Sequence, residues 1–188
     1  MTSAGARDCV QTERLICERL VPEHAEELMV LLRDARVART LFAQPDPPSE
    51  AEVMEQLGAK IAHWERFGFG YWLLRDRRSA QMVGRGGLQQ TFVGGRDQVE
   101  AGWAIVPERW GQGLATELAL AAVDVAFEQL RVPELVAFTL PDNVASRRVM
   151  EKAGFAYERD IVHLGLPHVL YRRSATATAT ATAPAPAS

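Results

Sequence analysis

The stretch Val99-Glu-Ala-Gly-Trp-Ala-Ile-Val-Pro-Glu-Arg-Trp-Gly-Gln-Gly-Leu-Ala-Thr-Glu117 constrains the fold of this chain more than any other. Apolar and small residues up to Val106 read as a strand. Pro107, which has no N–H for a sheet ladder, ends it. Gly111 and Gly113 then flank Gln112 and open a helix to about Leu130, in which Leu114, Leu118, Ala121, Ala122 and Val125 recur at the helical period. Ala115, Ala119 and Ala126 are small enough to let that helix lie close on a sheet. The first-turn amides of a helix lack intrahelical partners and carry partial positive charge, so this junction offers a seat for an anion such as a pyrophosphate. Two glycines let the backbone come close to such a ligand, but they equally suit a plain tight turn, and both readings stand on the junction alone. A P-loop fails, because Leu114-Ala115 stands where Lys-Ser/Thr is required. A dinucleotide fingerprint fails as well, because Thr116 occupies the third glycine position and no acidic residue follows at a strand tip.

Around this junction strands and helices alternate. Glu13–Leu20 reads as a first strand. A helix opens at Val21-Pro22, with Ala25, Leu28, Leu31 and Leu32 on one face. Asp46-Pro-Pro-Ser49 is a loop, and Ser49 with Glu52 forms a capping box for a helix to about Arg66. Gly68–Leu74 leads into a strand, Asp76–Ser79 turns, Gln81–Gly84 starts the return strand, Val93–Asp97 turns again, and Gln98–Val106 follows. Beyond the long helix come a strand at Leu135–Phe138, a helix at Asn143–Lys152, and strands at Phe155–Asp160 and His168–Tyr171. The order βααβββαβαββ predicts an α/β (α+β) domain, a mixed sheet with helices on both faces. The 188 residues suffice for one such domain. Residues 1–8 read as a loose arm, 9–173 as the domain, and 174–188, an uncharged Ala/Thr/Pro repeat, as a disordered tail.

Several function classes drop out. The formal net charge of −3 argues against a nucleic-acid partner. No apolar run approaches about 18 residues, so no membrane span is expected, and the first residues show no signal peptide. The two cysteines, Cys9 and Cys17, form no CxxC pair and no Cys/His cluster. No metal site is expected, and both thiols are read as free in a reducing cytoplasm.

Trp110-Gly-Gln-Gly-Leu-Ala115 resembles the acetyl-CoA loop of the GNAT superfamily of N-acetyltransferases, Q/R-x-x-G-x-G/A, with Trp110 in place of the leading Gln/Arg. Thr12-Glu-Arg-Leu15, Gly68-Phe-Gly-Tyr-Trp72 and Asp142-Asn-Val-Ala-Ser-Arg-Arg-Val-Met-Glu-Lys-Ala-Gly-Phe155 resemble, in order, the branch of ribosomal-protein-alanine N-acetyltransferases. The likeness spans about residues 11 to 173. It implies a mostly antiparallel sheet whose fourth and fifth strands splay, with acetyl-CoA as acetyl donor. The pantetheine arm is then expected along Ala104, Ile105 and Val106, and the pyrophosphate on the backbone of Gly111, Gln112, Gly113, Leu114, Ala115 and Thr116. Asn143 matches the position that touches the pantetheine or thioester, and it also reads as a helix N-cap after Pro141-Asp142.

Acetylating an amine requires that a base take a proton from the ammonium. By resemblance Glu100 fills that role, on the same strand face as Gly102 and Ala104; otherwise it is a solvated strand residue or one that only orders the substrate. Relatives carry a tyrosine donor for the leaving thiolate where this chain has Met150, which cannot donate. Ser146, one turn past Asn143, is the substitute that the resemblance offers, for catalysis and for cofactor contact; otherwise it is a surface serine. His24 and His63 read as surface or packing residues. His163 and His168 read as structural residues or as flanking a late loop that borders the acceptor pocket, and Phe69 and Tyr71 read as core residues or, by resemblance, as lining of the acceptor site. The resemblance also implies an amine acceptor, either a peptide N-terminus or a small molecule selected by the loops at 41–49 and 160–167, and a homodimer. The acidic balance points to a cationic amine. Two rivals stand beside the transferase: a catalytically inactive CoA-binding sensor or interaction module, and an α/β binding domain with no CoA site.

Overall fold

Eight strands form one sheet in the computed structural model, which describes residues 5–42 and 46–175. β1 (Cys9–Gln11), β2 (Leu15–Arg19), β3 (Tyr71–Asp76), β4 (Met82–Val93) and β5 (Arg96–Ile105) pair antiparallel in succession. β6 (Glu134–Thr139) runs parallel to β5. The last strand, β8 (Leu166–Ser174), lies antiparallel between β6 and β7 (Ala156–His163), giving the order β1-β2-β3-β4-β5-β6-β8-β7. The expected mixed, mostly antiparallel sheet is therefore present.

Helices cover both faces. On one, α2 (Ala25–Leu32), α3 (Ala35–Phe42) and α4 (Glu50–Phe67) bury Leu28, Leu31, Val37 and Leu57 against Leu20, Tyr71 and Leu73. On the other, α5 (Leu114–Asp124) and α6 (Val144–Lys152) enclose Leu118, Ala119, Ala122 and Met150 with Leu88, Ala101 and Ile105. The capping box forms as expected: Ser49 Oγ accepts from the Glu52 amide at 3.3 Å, and the Glu52 carboxylate accepts from the Ser49 amide at 2.8 Å. Among the described residues, no helix is long and apolar enough to cross a membrane.

The structure differs from the sequence reading in four places. The first strand is the second arm of a hairpin, β1–β2, because Thr12 turns the chain with its amide on Leu15 O at 2.9 Å. One helix was expected between Leu20 and the Ser49 cap, and two form. Asp34 starts the second: its carboxylate accepts the Arg36 amide at 2.8 Å, and its carbonyl accepts the Ala38 amide at 2.9 Å. Within the arm, Gly5–Asp8 makes one helical turn, α1, whose Arg7 carbonyl accepts the Trp72 indole N–H at 2.8 Å. The last strand runs on to Ser174, and the Ala175 amide bonds Pro133 O at 2.9 Å. The rest of the expected tail (176–188), the start of the arm (1–4) and part of the acceptor loop (43–45) lie outside the described residues.

What positions the site is the junction of β5 with β6. The two strands meet only at Glu100 opposite Val136 and then diverge. Counted from Leu15–Arg19, these are the fourth and fifth strands expected to splay.

Candidate active site

The divergence opens a groove of about 480 Å³ that is lined from both faces of β5. On the α5 side stand Gly111, Gly113, Leu114, Ala115 and Thr116, and on the α2–α4 side stand Tyr71, Arg85 and Glu100.

The glycine loop adopts the conformation its sequence allows. Gly111 and Gly113 have φ of 75° and 81°, in the left-handed region that L side chains rarely occupy. A Cβ at Gly111 would meet nothing within 4 Å, so the loop faces open space. The first intrahelical bond of α5 runs from the Glu117 amide to Gly113 O at 3.0 Å. The Leu114, Ala115 and Thr116 amides therefore have no intrahelical acceptor, and Gly113 supplies no side-chain cap. Two arginines brace the loop from behind. Arg14 Nη1 donates to Gln112 O at 2.7 Å and Nε to Glu117 Oε2 at 2.6 Å, while Arg109 Nε donates to Gln112 Oε1 at 2.9 Å. Exposed Arg148 and Lys152 on α6 also line the groove and make no ion pair among the described residues. The residues present fit a CoA pyrophosphate: free amides, helix-end charge and nearby cations.

Ala104, Ile105, Gly111, Gly113, Leu114, Ala115, Thr116, Asn143 and Ser146 all line the groove; Val106 and Gln112 do not. The Val106 amide continues the ladder to Val83 O at 2.9 Å, and Gln112 is engaged by Arg14 and Arg109. This register also decides which strand groups face the opening. With Val106 bonded to β4, alternation turns the backbone of Ala104 toward β4 and that of Trp103 and Ile105 toward the splay. The Trp110 indole N–H takes up Ile105 O at 2.7 Å, which leaves the Trp103 main chain as the open edge. Trp103 was not singled out in the sequence, because strand register cannot be read from one strand alone.

Asn143 caps α6, its Oδ1 accepting the Ser146 amide at 3.1 Å, so the cap reading holds and its Nδ2 donors stay available to a ligand. Ser146 is half-buried on the groove wall rather than a free surface serine. Met150 is buried beside it.

Glu100 is 6% exposed, which removes the reading of a solvated strand residue. Burial pushes its carboxyl above the ordinary carboxylate range; the Gln89 amide, donating at 2.6 Å to Oε2, and the nearby Lys60 ammonium pull the other way. Lys60 hydrogen-bonds Gln89 Oε1 and sits 4.0 Å from the Tyr71 ring centroid. Burial holds it down at about 8, with Arg85 adding to the effect and Glu100 opposing it. The amide of Gln89 thus couples a cation to the carboxylate, the orientation that favours an ionised Glu100. Sequence reading missed Lys60, Gln89 and Arg85. The lone hint was Gly84-Arg-Gly-Gly87, a cation set among glycines in a strand.

Cys17 lies in the core cluster that holds Leu114 and Leu118 of α5, and burial first of all, with the Glu117 charge adding to it, pushes its thiol up to about 12. It cannot serve as a thiolate nucleophile. His63 is a packing residue, with Nδ1 on Phe69 O at 2.9 Å and Nε2 accepting the Gln90 amide at 2.8 Å. Buried His168 lines the groove and stacks edge-on against Phe138. Tyr71 lines it too, whereas Phe69 belongs to the core.

A family model described as "Acetyltransferase (GNAT) domain" matches residues 14–156. The chain is similar to YkkB of Bacillus subtilis (29% identity over 109 residues, 58% of this chain and 63% of YkkB). It is also similar to FsC-acetyl coenzyme A-N(2)-transacetylase of Aspergillus fumigatus (29% over 164 residues, 81% of this chain and 66% of that protein). It thus spans slightly less than two thirds of each of these relatives. Among solved structures, a GnaT-family acetyltransferase from Bordetella pertussis superposes with a TM-score of 0.76 at 26% identity, covering 89% of this chain and all of that one. With the splayed strands and the glycine loop in place, these matches establish that the chain belongs to the GNAT acetyltransferase family.

Proposed function

We propose that the protein transfers an acetyl group from acetyl-CoA directly to a primary amine. The observation that carries this reading is the juxtaposition, in one groove, of a buried carboxylate, an open strand edge and a helix end with free amides. The name of the Aspergillus relative, an acetyl-coenzyme-A N-transacetylase, supports the donor and the acceptor atom.

In this reading the Leu114, Ala115 and Thr116 amides hold the pyrophosphate, and the pantetheine arm lies along Trp103 and Ile105 as an added strand. Bound there, acetyl-CoA presents its thioester at the splay. Glu100, made more basic by burial, takes a proton from the acceptor ammonium directly or through water. The freed amine forms the new C–N bond as the C–S bond breaks, and the departing thiolate takes up a proton. Ser146 and the Asn143 amide, both on the groove wall, are the donors assigned to it. No side chain forms an acyl-enzyme, since buried Cys17 holds its proton too firmly.

The reading extends to a cytoplasmic protein, in which Cys9 and Cys17 stay free. It also includes a homodimer, for which exposed Phe92, Val162 and Leu164 at two hairpin tips offer an apolar surface; sedimentation velocity tests the latter. A thiol-release assay with acetyl-CoA and a panel of peptide N-termini, amino acids and polyamines tests the reaction. The expected result is CoA release dependent on one acceptor class. Binding of acetyl-CoA without release from any amine would make the protein a sensor instead.

A further inference from the structure

Arg85 is a buried cation without a carboxylate partner among the described residues. It projects from β4 on the same face as Glu100 and Ala104, is 7% exposed and lines the groove. Among the described residues it makes no ion pair, and its one hydrogen bond is a long one, Nη2 to Gln56 Oε1 at 3.5 Å. The residues outside the described ones hold no Asp or Glu, so the chain has no further acidic side chain to offer it. Among the described residues its Nε and Nη1 have no hydrogen-bond partner, and the side chain lines the groove. A guanidinium keeps its charge even when buried, and leaving its fork unpaired in a desolvated site is costly.

The surroundings deepen the imbalance. α4 contributes Lys60 and neutral Gln56, β3 contributes Tyr71, β4 contributes neutral Gln89, and β5 contributes Glu100. Two cations therefore share one carboxylate, and Lys60 is the one linked to it, through Gln89. Tyr71 separates Arg85 from Glu100. The Arg85 guanidinium carbon lies 5.7 Å from the Tyr71 ring centroid. The Tyr71 hydroxyl sits 2.0 Å from where a Gly102 Cβ would be, a point 3.5 Å from Glu100 Oε1. The unmatched positive charge and the proton acceptor are thus within one tyrosine of each other.

Resting on the transferase reading above, we propose that the acceptor is a small amino acid-type molecule whose carboxylate pairs with Arg85 while its amine faces Glu100. A zwitterion supplies the missing anion to Arg85 and a cation to Glu100, and a planar carboxylate matches the guanidinium fork. Polyamines bring only positive charge and would be repelled from this floor. Arg85 is then a specificity-determining residue rather than a proton-transfer group.

The test is a thiol-release assay on the full chain with acetyl-CoA. The acceptors are the L-α-amino acids and β-alanine, each paired with its carboxamide, together with spermidine and tripeptides bearing acidic or neutral second residues. The expected result is that the best carboxylate exceeds its own carboxamide by about tenfold or more in kcat/KM, through KM. In Arg85→Gln that ratio collapses toward one, through loss of the carboxylate's advantage in KM, and Arg85→Lys restores part of the preference. Carboxamides or spermidine turning over as well as the carboxylates in the wild-type protein would overturn the inference and leave the transferase reading intact, whatever becomes of the variants. A preference for acidic tripeptides over free amino acids would overturn the small-molecule acceptor. Acetyl-CoA binding without CoA release from any amine would overturn the transferase reading, and the inference with it.

Discussion

The two sides of the groove are built from different materials. On the α5 side the groove-facing groups are the main-chain amides of Leu114, Ala115 and Thr116, which follow two left-handed glycines. On the other side they are side chains from α4, β3, β4 and β5: Lys60, Tyr71, Arg85, Gln89 and Glu100. The first surface offers the same partial charges whatever side chains surround it, and suits the CoA donor of the proposed reaction. The second changes with each substitution, and suits discrimination between acceptors. In the proposed function, binding of the donor and choice of the acceptor are thereby separable by mutation.

The largest expected effect comes from filling the backbone seat. Gly113→Glu places a carboxylate at the anion site and a side chain on a backbone with φ of 81°, and should weaken acetyl-CoA binding at least about a hundredfold. Calorimetry that finds the wild-type affinity in a folded variant removes the pyrophosphate assignment. Next comes Glu100→Gln, which should lower kcat by about a hundredfold or more at neutral pH while acetyl-CoA affinity stays unchanged. Because burial raises the Glu100 pKa, the wild-type rate should climb with pH through a limb lying above the ordinary carboxylate range. That limb should vanish in the variant, and a limb that persists assigns the base elsewhere.

Lys60→Met sharpens the contrast further. Lys60 pulls the Glu100 pKa down, so removing its charge should raise that pKa and move the acidic limb to higher pH, with a loss of a few-fold at pH 7. A limb that stays put, or moves down, breaks the proposed link through Gln89. The smallest effect belongs to Arg14→Ala, which removes a brace behind the glycine loop without touching the groove. It should raise the acetyl-CoA Kd by about two- to five-fold and leave the acceptor KM unchanged. An effect on acceptor KM instead would mean that the two sides are not independent.

The sequence was most legible where a feature is local. The Ser49–Glu52 capping box, the Pro107 stop and the Gly111-Gln-Gly113 junction are each read from a few consecutive residues, and all appear in the structure. Asn143 as a cap was legible for the same reason. The second helix of the Leu20–Ser49 segment was not recognised, since its start depends on one Asp34 side chain closing over the Arg36 amide. The identity of the open strand edge was illegible, because it depends on which residue of β5 faces which residue of β4, and a shift by one exchanges the bonded and the free groups.

The chain by itself determined the alternation of strands and helices, the place where the long helix begins and the bare amides there, because consecutive residues fix consecutive dihedrals and hydrogen bonds. The tertiary structure alone decided that Glu100 is buried, that Lys60 reaches it through Gln89, and that Arg85 has no counterion among the described residues. Those properties are set by desolvation and by charges drawn from segments far apart along the chain, and neither exists until the sheet has paired and α4 has settled over it.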